Sequence, residues 1–198
     1  MLAKSLETVG ELTIPIVDGS LPAGVVELSA PRALGGATSL AVRAMAAAHA
    51  RDPRSWCAWI DPEQNLHAPG LAQRGVDLAR LLVVRPERKD VQRIAIKTVQ
   101  SGAFDVVAID VDSVGEMGIR KRKDALFVRK LALGAEKSGA AVLLLVDSLS
   151  KKSEPWPVAL RLELERSPDS LFVRVGKDRH GRLVLAKARI AMDLQDAG

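Results

Sequence analysis

The residues with the clearest capacity for chemistry form a glycine-rich loop, Ala30-Pro31-Arg32-Ala33-Leu34-Gly35-Gly36-Ala37-Thr38-Ser39. It follows a short β-prone run, Val25-Val26-Glu27-Leu28, and precedes an alanine-rich helical stretch. In a strand, loop and helix of this kind, backbone N–H groups and the helix N-terminus can hold phosphate oxygens. The full pattern is G-x-x-x-x-G-K-[ST], in which lysine meets the outer phosphates and the hydroxyl binds Mg²⁺. Here Ala30 or Pro31 replaces the first glycine, Gly35 or Gly36 keeps the second, and Thr38, followed by Ser39, offers the hydroxyl. The lysine position holds Gly36 or Ala37, and no lysine occurs between Lys4 and Lys89.

A lysine against phosphate contributes on the order of 4 kcal/mol per unit charge at an effective dielectric near 20. It also offsets charge that builds up during phosphoryl transfer. Arg32 and Arg43 are the cations that could compensate, but a guanidinium does not match an ammonium in geometry. The loop therefore reads first as a strand-to-helix turn without ATP hydrolysis. Nucleotide binding without turnover is intermediate, and no resident cofactor is expected.

The elements that position this loop can be followed along the chain. Leu40 to Ala50 has the composition of a helix and stops before Asp52-Pro53. Ser55 to Ile60, Leu81 to Val84, Phe104 to Asp110 and Ala140 to Val146 read as buried strands. Helical segments are expected within Leu66 to Gly75, from Asp90 to Ser101 and from Arg122 to Ser138. After Pro155 the pattern alternates: Val158, Leu160, Leu162 and Leu164 point one way, Arg161, Glu163 and Glu165 the other. Leu171 to Val175 and Leu183 to Lys187 follow, around a turn at Asp178-Arg179-His180-Gly181. Continuous apolar strands alternating with helices imply an α/β fold, a mostly parallel sheet with helices on both faces. The alternating strands imply a β-rich antiparallel C-terminal edge. The expected organisation is an N-terminal segment 1–20, a single core 21–190 and a short tail 191–198.

Composition narrows the function. Among 198 residues, 47% are hydrophobic and 27% charged, as in soluble globular proteins. Three Trp, three Phe and no Tyr argue against recognition by stacked aromatics. The formal charge of +5 permits a nucleic-acid or acidic partner without demanding one. Cys57 is the only cysteine and reads as a small buried hydrophobe, which suits a reducing cytoplasm. No signal peptide or membrane-spanning run is expected, and no membrane contact. His49, His67 and His180 are isolated, without the spacing of a metal site or a catalytic triad.

Several ordered blocks resemble the RecA family. Leu21-Pro22-Ala23-Gly24-Val25-Val26-Glu27-Leu28, with the loop and Ser39-Leu40-Ala41, resembles the start of the RecA core. Cys57-Ala58-Trp59-Ile60-Asp61-Pro62-Glu63 resembles its second strand, which implies that Glu63 matches the catalytic glutamate. The block Ser101 to Asp110 places Asp110 at the Walker B aspartate, and Gly75 to Val83 and Ala159 to Glu163 continue the similarity. Together the resemblance implies a RecA-like P-loop fold over nearly the whole chain. Glu63 and Asp110 could then mark a Mg²⁺ site or be leftover carboxylates.

The departures are as informative. The lysine is gone, the family's nucleotide-sensing glutamine is not visible after Val146, and neither an oligomerisation helix nor a C-terminal domain is expected within these 198 residues. A short RecA-like chain with a degenerate nucleotide site resembles the ImuA accessory proteins, and less closely the SulA-type cell-division inhibitors. The first resemblance implies an ImuB-type polymerase and RecA as partners, in SOS-induced translesion synthesis. Arg120, Lys121, Arg122 and Lys123 lie where the family's first DNA-contacting loop sits, and Lys151 and Lys152 follow the fourth buried strand. These clusters form either one basic surface for DNA or a partner, or simply solvated faces. Trp156 is either an interface anchor or the cover of a core edge.

Overall fold

The computed structural model describes residues 21–31, 35–111, 121–148, 156–167, 170–179 and 187–191, without the side chains of 121–124 and 187–191. Strands β1 (Gly24–Ala30), β2 (Cys57–Ile60), β3 (Leu81–Val84), β4 (Val106–Asp110) and β5 (Ala141–Asp147) form where the sequence is mostly apolar, with Glu27 inside β1. Between them lie helices α1 (Gly36–Arg51), α2 (Ala68–Gln73), α3 (Val91–Gln100) and α4 (Lys121–Ser138). The chain continues through β6 (Leu160–Ser167), β7 (Ser170–Asp178) and β8 (Lys187–Ala191).

All eight strands join one sheet in the order β3-β2-β4-β5-β1-β6-β7-β8. Strands β3 to β1 in that order pair in parallel. β6 also runs parallel to β1, with Glu27 opposite Arg161, and the antiparallel edge begins only at the β6–β7 pair. The alternating pattern thus marks both kinds of pairing, because β6 sits where helix cover gives way to the hairpin. Among the described residues the last strand is Lys187–Ala191, which meets the expected Leu183 to Lys187 at Lys187; residues 180–186 lie outside the described set.

The parallel strands send alternate side chains into two cores. On one face Val26, Leu28, Ala108 and Leu143 meet Leu40, Ala44, Met45 and Ala48 of α1. On the other, Val25, Ile109, Val142 and Leu144 meet Val91, Ala95 and Val99 of α3 and Phe127 and Leu131 of α4. Trp156 is buried at the margin of the second core, where it covers a core edge. Among the described residues, no helix is long and apolar enough to cross a membrane.

Candidate phosphate-loop site

The loop after β1 is shaped by one glycine. Gly35 adopts φ 62° and ψ 13°, a left-handed conformation that costs glycine nothing. Its carbonyl accepts the Ser39 N–H at 2.9 Å, so α1 starts at Gly36, a full turn before the expected Leu40. The helix N-terminus therefore faces the C-terminal ends of β1, β4 and β5. That is the position at which open α/β sheets bind ligands.

A cavity of about 200 Å³ lies there, lined by Ala30, Pro31, Gly35, Gly36, Ala37, Thr38, Asn65, Asp110, Leu145 and Val146. The fold thus brings Gly35, Gly36, Thr38 and Asp110 together from distant parts of the sequence. Thr38 is exposed toward solvent, whereas Ser39 is buried against the core and does not line the cavity.

A Cβ built on Gly36 would point at Leu171 Cδ1 (3.2 Å), Ala30 Cβ (3.6 Å) and Leu164 Cβ (3.7 Å). A side chain there would enter the core beneath β6 and β7. Gly36 and Ala37 both line the cavity, and neither position holds a lysine. Arg43 is not among the lining residues, and Arg32 lies outside the described set.

Glu63 does not line the cavity. Its Oε2 accepts a hydrogen bond from Arg88 Nη2 at 3.1 Å, while its Oε1 is buried with no hydrogen-bond partner among the described residues. The turn that carries it is built by Asp61, which is 2% exposed. The Asp61 carboxylate accepts the N–H groups of Asn65 (3.0 Å) and Leu66 (3.2 Å) and lies 3.5 Å from Arg85 Nε. Gln64, at φ 57°, is the strained residue of that turn. Asn65 is delivered to the cavity by this arrangement and has no signal in the sequence beyond its place after Glu63.

A second residue without a sequence signal is Arg166, near the end of β6. Its Nη1 lies 3.5 Å from where a Gly35 Cβ would be. Only the β6–β1 pairing, invisible in the linear sequence, brings this guanidinium to the loop.

Of the basic clusters, Lys121, Arg122 and Lys123 belong to the first turn of α4, but their side chains are outside the described set. Arg120, Lys151 and Lys152 lie outside it altogether. Among the described residues, no group of His, Cys, Asp and Glu is arranged to hold a metal ion.

A parallel α/β sheet with a glycine-turned loop at the C-terminal end of β1, an aspartate ending β4 and a C-terminal β-hairpin defines a RecA-like P-loop domain. Residues 5–126 match the RecA N-terminal domain, and the chain belongs to that family. The RecA protein of Crocosphaera subtropica is 34% identical over 161 residues, 73% of this chain and 45% of that protein. RecA of Rhizobium rhizogenes is 31% identical over 159 residues, 71% of this chain and 43% of that protein. The chain thus spans less than half the length of these relatives. The RadB recombinase structure superposes with a TM-score of 0.67 at 17% identity, covering 88% of this chain and 90% of that one, which shows the shared fold.

Proposed function

We propose that this protein is a non-catalytic RecA-like accessory factor of damage-induced translesion DNA synthesis, of the ImuA kind, acting by binding an ImuB-type polymerase and RecA. The observation that carries the reading is the start of α1. Gly36 is packed against Leu171, Ala37 lines the cavity, and neither supplies the cation that phosphoryl transfer needs. The engagement of Glu63 by Arg88, away from the cavity, supports it further.

Binding to protein partners is supported by the edge strand β3, which has no further strand beside it among the described residues. β3 is outermost in the sheet, and beside it Leu66, Ala68, Leu71, Leu78, Leu81, Val83 and Arg85 line a groove of about 340 Å³. Leu78 of this groove is exposed, as are Leu82 of β3 and Trp56, with Arg80 over the Trp56 ring at 5.9 Å. Unpaired strand edges with apolar neighbours are ready templates for another chain. Co-purification with RecA and the polymerase tests the reading. Stoichiometric capture of both is expected, and capture of neither contradicts it.

One observation favours a second reading, a divergent RecA-family ATPase. Arg166 beside Gly35 puts a guanidinium where it can meet an anion held by the loop. Calorimetry with ATP and Mg²⁺ separates the two: binding abolished by Arg166→Ala together with measurable turnover favours the enzyme.

A further inference from the structure

Two large apolar side chains stand out on the surface of α4. Leu126 is 52% exposed and Leu133 is 51% exposed. They are seven residues apart, so they lie on one face two turns and about 10 Å from each other. The opposite side of the helix is already used, since Phe127, Val128, Leu131 and Ala135 fill the second core. Leu126 and Leu133 therefore stand outside the buried core cluster that packs on the sheet.

The surroundings of this stripe are basic. Arg129 and Lys130 are exposed between the two leucines, and Lys137 follows one turn beyond Leu133. Glu136 is the sole acidic side chain exposed among residues 125–138. Along all of α4, six basic residues stand against two acidic ones, which is four of the formal +5 of the chain. At its C-terminal end the helix also borders a cleft of about 340 Å³ lined by Gln100, Gly102, Gly134, Lys137 and Ser138. Gly134 lets α3 approach closely there, since a Cβ on it would lie 3.1 Å from Val99 Cγ1.

We propose that the Leu126–Leu133 stripe of α4, rimmed by Arg129, Lys130 and Lys137, is a docking surface for an acidic amphipathic helix of a partner protein. This rests on the accessory-factor reading only in requiring a protein partner. Leucines at heptad spacing are the contact one helix offers another, and flanking charges set which helix is accepted. A second copy of this chain is disfavoured because its α4 would oppose like charges. Nucleic acid would leave both leucines against phosphates. An anionic membrane would meet a stripe only two side chains long.

The probe is a fluorescein-labelled synthetic helix with leucines at heptad spacing and flanking glutamates, followed by anisotropy. Its counterpart with lysines for the glutamates, an oligothymidine strand and phosphatidylserine vesicles are run beside it. The acidic helix is expected to bind about tenfold more tightly than the basic one. Leu126→Gln with Leu133→Gln should weaken it by about tenfold. Arg129→Glu with Lys130→Glu should reverse the charge preference. Unaltered binding in both double variants, or binding to oligothymidine or vesicles alone, overturns the proposal. Amide exchange over residues 125–137 in the unsubstituted protein tests the same surface without mutation: protection on peptide addition supports it, and absence of protection overturns it. Absent protection with capture of RecA and polymerase intact sinks this surface alone. Protection without any such capture sinks the accessory-factor reading alone.

Discussion

The Cβ that Gly36 lacks would lie 3.2 Å from Cδ1 of Leu171, on the second strand of the C-terminal hairpin. The start of α1 and the hairpin are thus packed so closely that only glycine fits without displacement. Positions 36 and 37 should respond oppositely to lysine. Gly36→Lys must push aside a fully buried leucine and should lose about 1–3 kcal/mol in denaturant unfolding. Ala37→Lys should leave stability nearly unchanged and raise ATP affinity by about tenfold, a modest share of the Coulomb gain near phosphate. Equal destabilisation by both would mean that the assigned direction of position 36 is wrong.

Glu27 and Arg161, opposite each other on β1 and β6, form a buried ion pair, with Arg161 Nε and Nη2 each 2.9 Å from Glu27 Oε2. Burial raises the carboxyl pKa, and the hydrogen bond and charge of Arg161 pull it back. Arg161→Met alone strands a buried carboxylate and should cost about 3–5 kcal/mol, while Glu27→Leu with Arg161→Met should be near neutral or stabilising. A double-mutant cycle by urea unfolding measures the coupling; additive losses would contradict it.

His49 is buried, its Nδ1 accepting the Asp77 N–H at 3.0 Å. Burial holds its pKa below the usual 6.5, against the raising influence of Asp77. The unfolded chain therefore takes up a proton more readily, so stability present above pH 6.5 is lost as the pH falls below it. His49→Asn retains a hydrogen-bond acceptor without titrating there. Its unfolding free energy should be flatter than that of the wild type between roughly pH 7 and pH 5; parallel curves would exclude the role.

Burial pushes the Cys57 thiol up to about 12, with Asp105 adding to the effect. A thiol reagent at neutral pH should label the folded protein only through opening of β2, and fully in denaturant. Rapid labelling of the native state would show that β2 is less enclosed than the two cores imply.

The fold is legible in the sequence because its signals are local. Runs such as Val106 to Ile109 are short, rich in β-branched residues and apolar throughout, as strands buried on both faces are, and Val91, Ala95 and Val99 sit at helical spacing. The true start of α1 is hidden because Gly-Ala-Thr-Ser has poor helix propensity, and only the left-handed Gly35 shows that the turn begins there. The site is half legible. Thr38 and Asp110 announce themselves by motif, but Asn65 and Arg166 reach the loop through the Asp61 turn and the β1–β6 pairing. Alternation assigns Arg161 to the wetter side of its strand, and it is buried. Its partner lies 134 residues away, and alternation cannot reveal such a pair.

On the non-catalytic reading proposed above, the protein should turn over no ATP. The most direct measurement is steady-state ATP hydrolysis by the purified protein with Mg²⁺ and single-stranded DNA, compared with the Glu63→Gln variant. The expected result is turnover at background in both proteins, with and without DNA. DNA-stimulated turnover that Glu63→Gln abolishes would contradict the non-catalytic reading and establish an active ATPase.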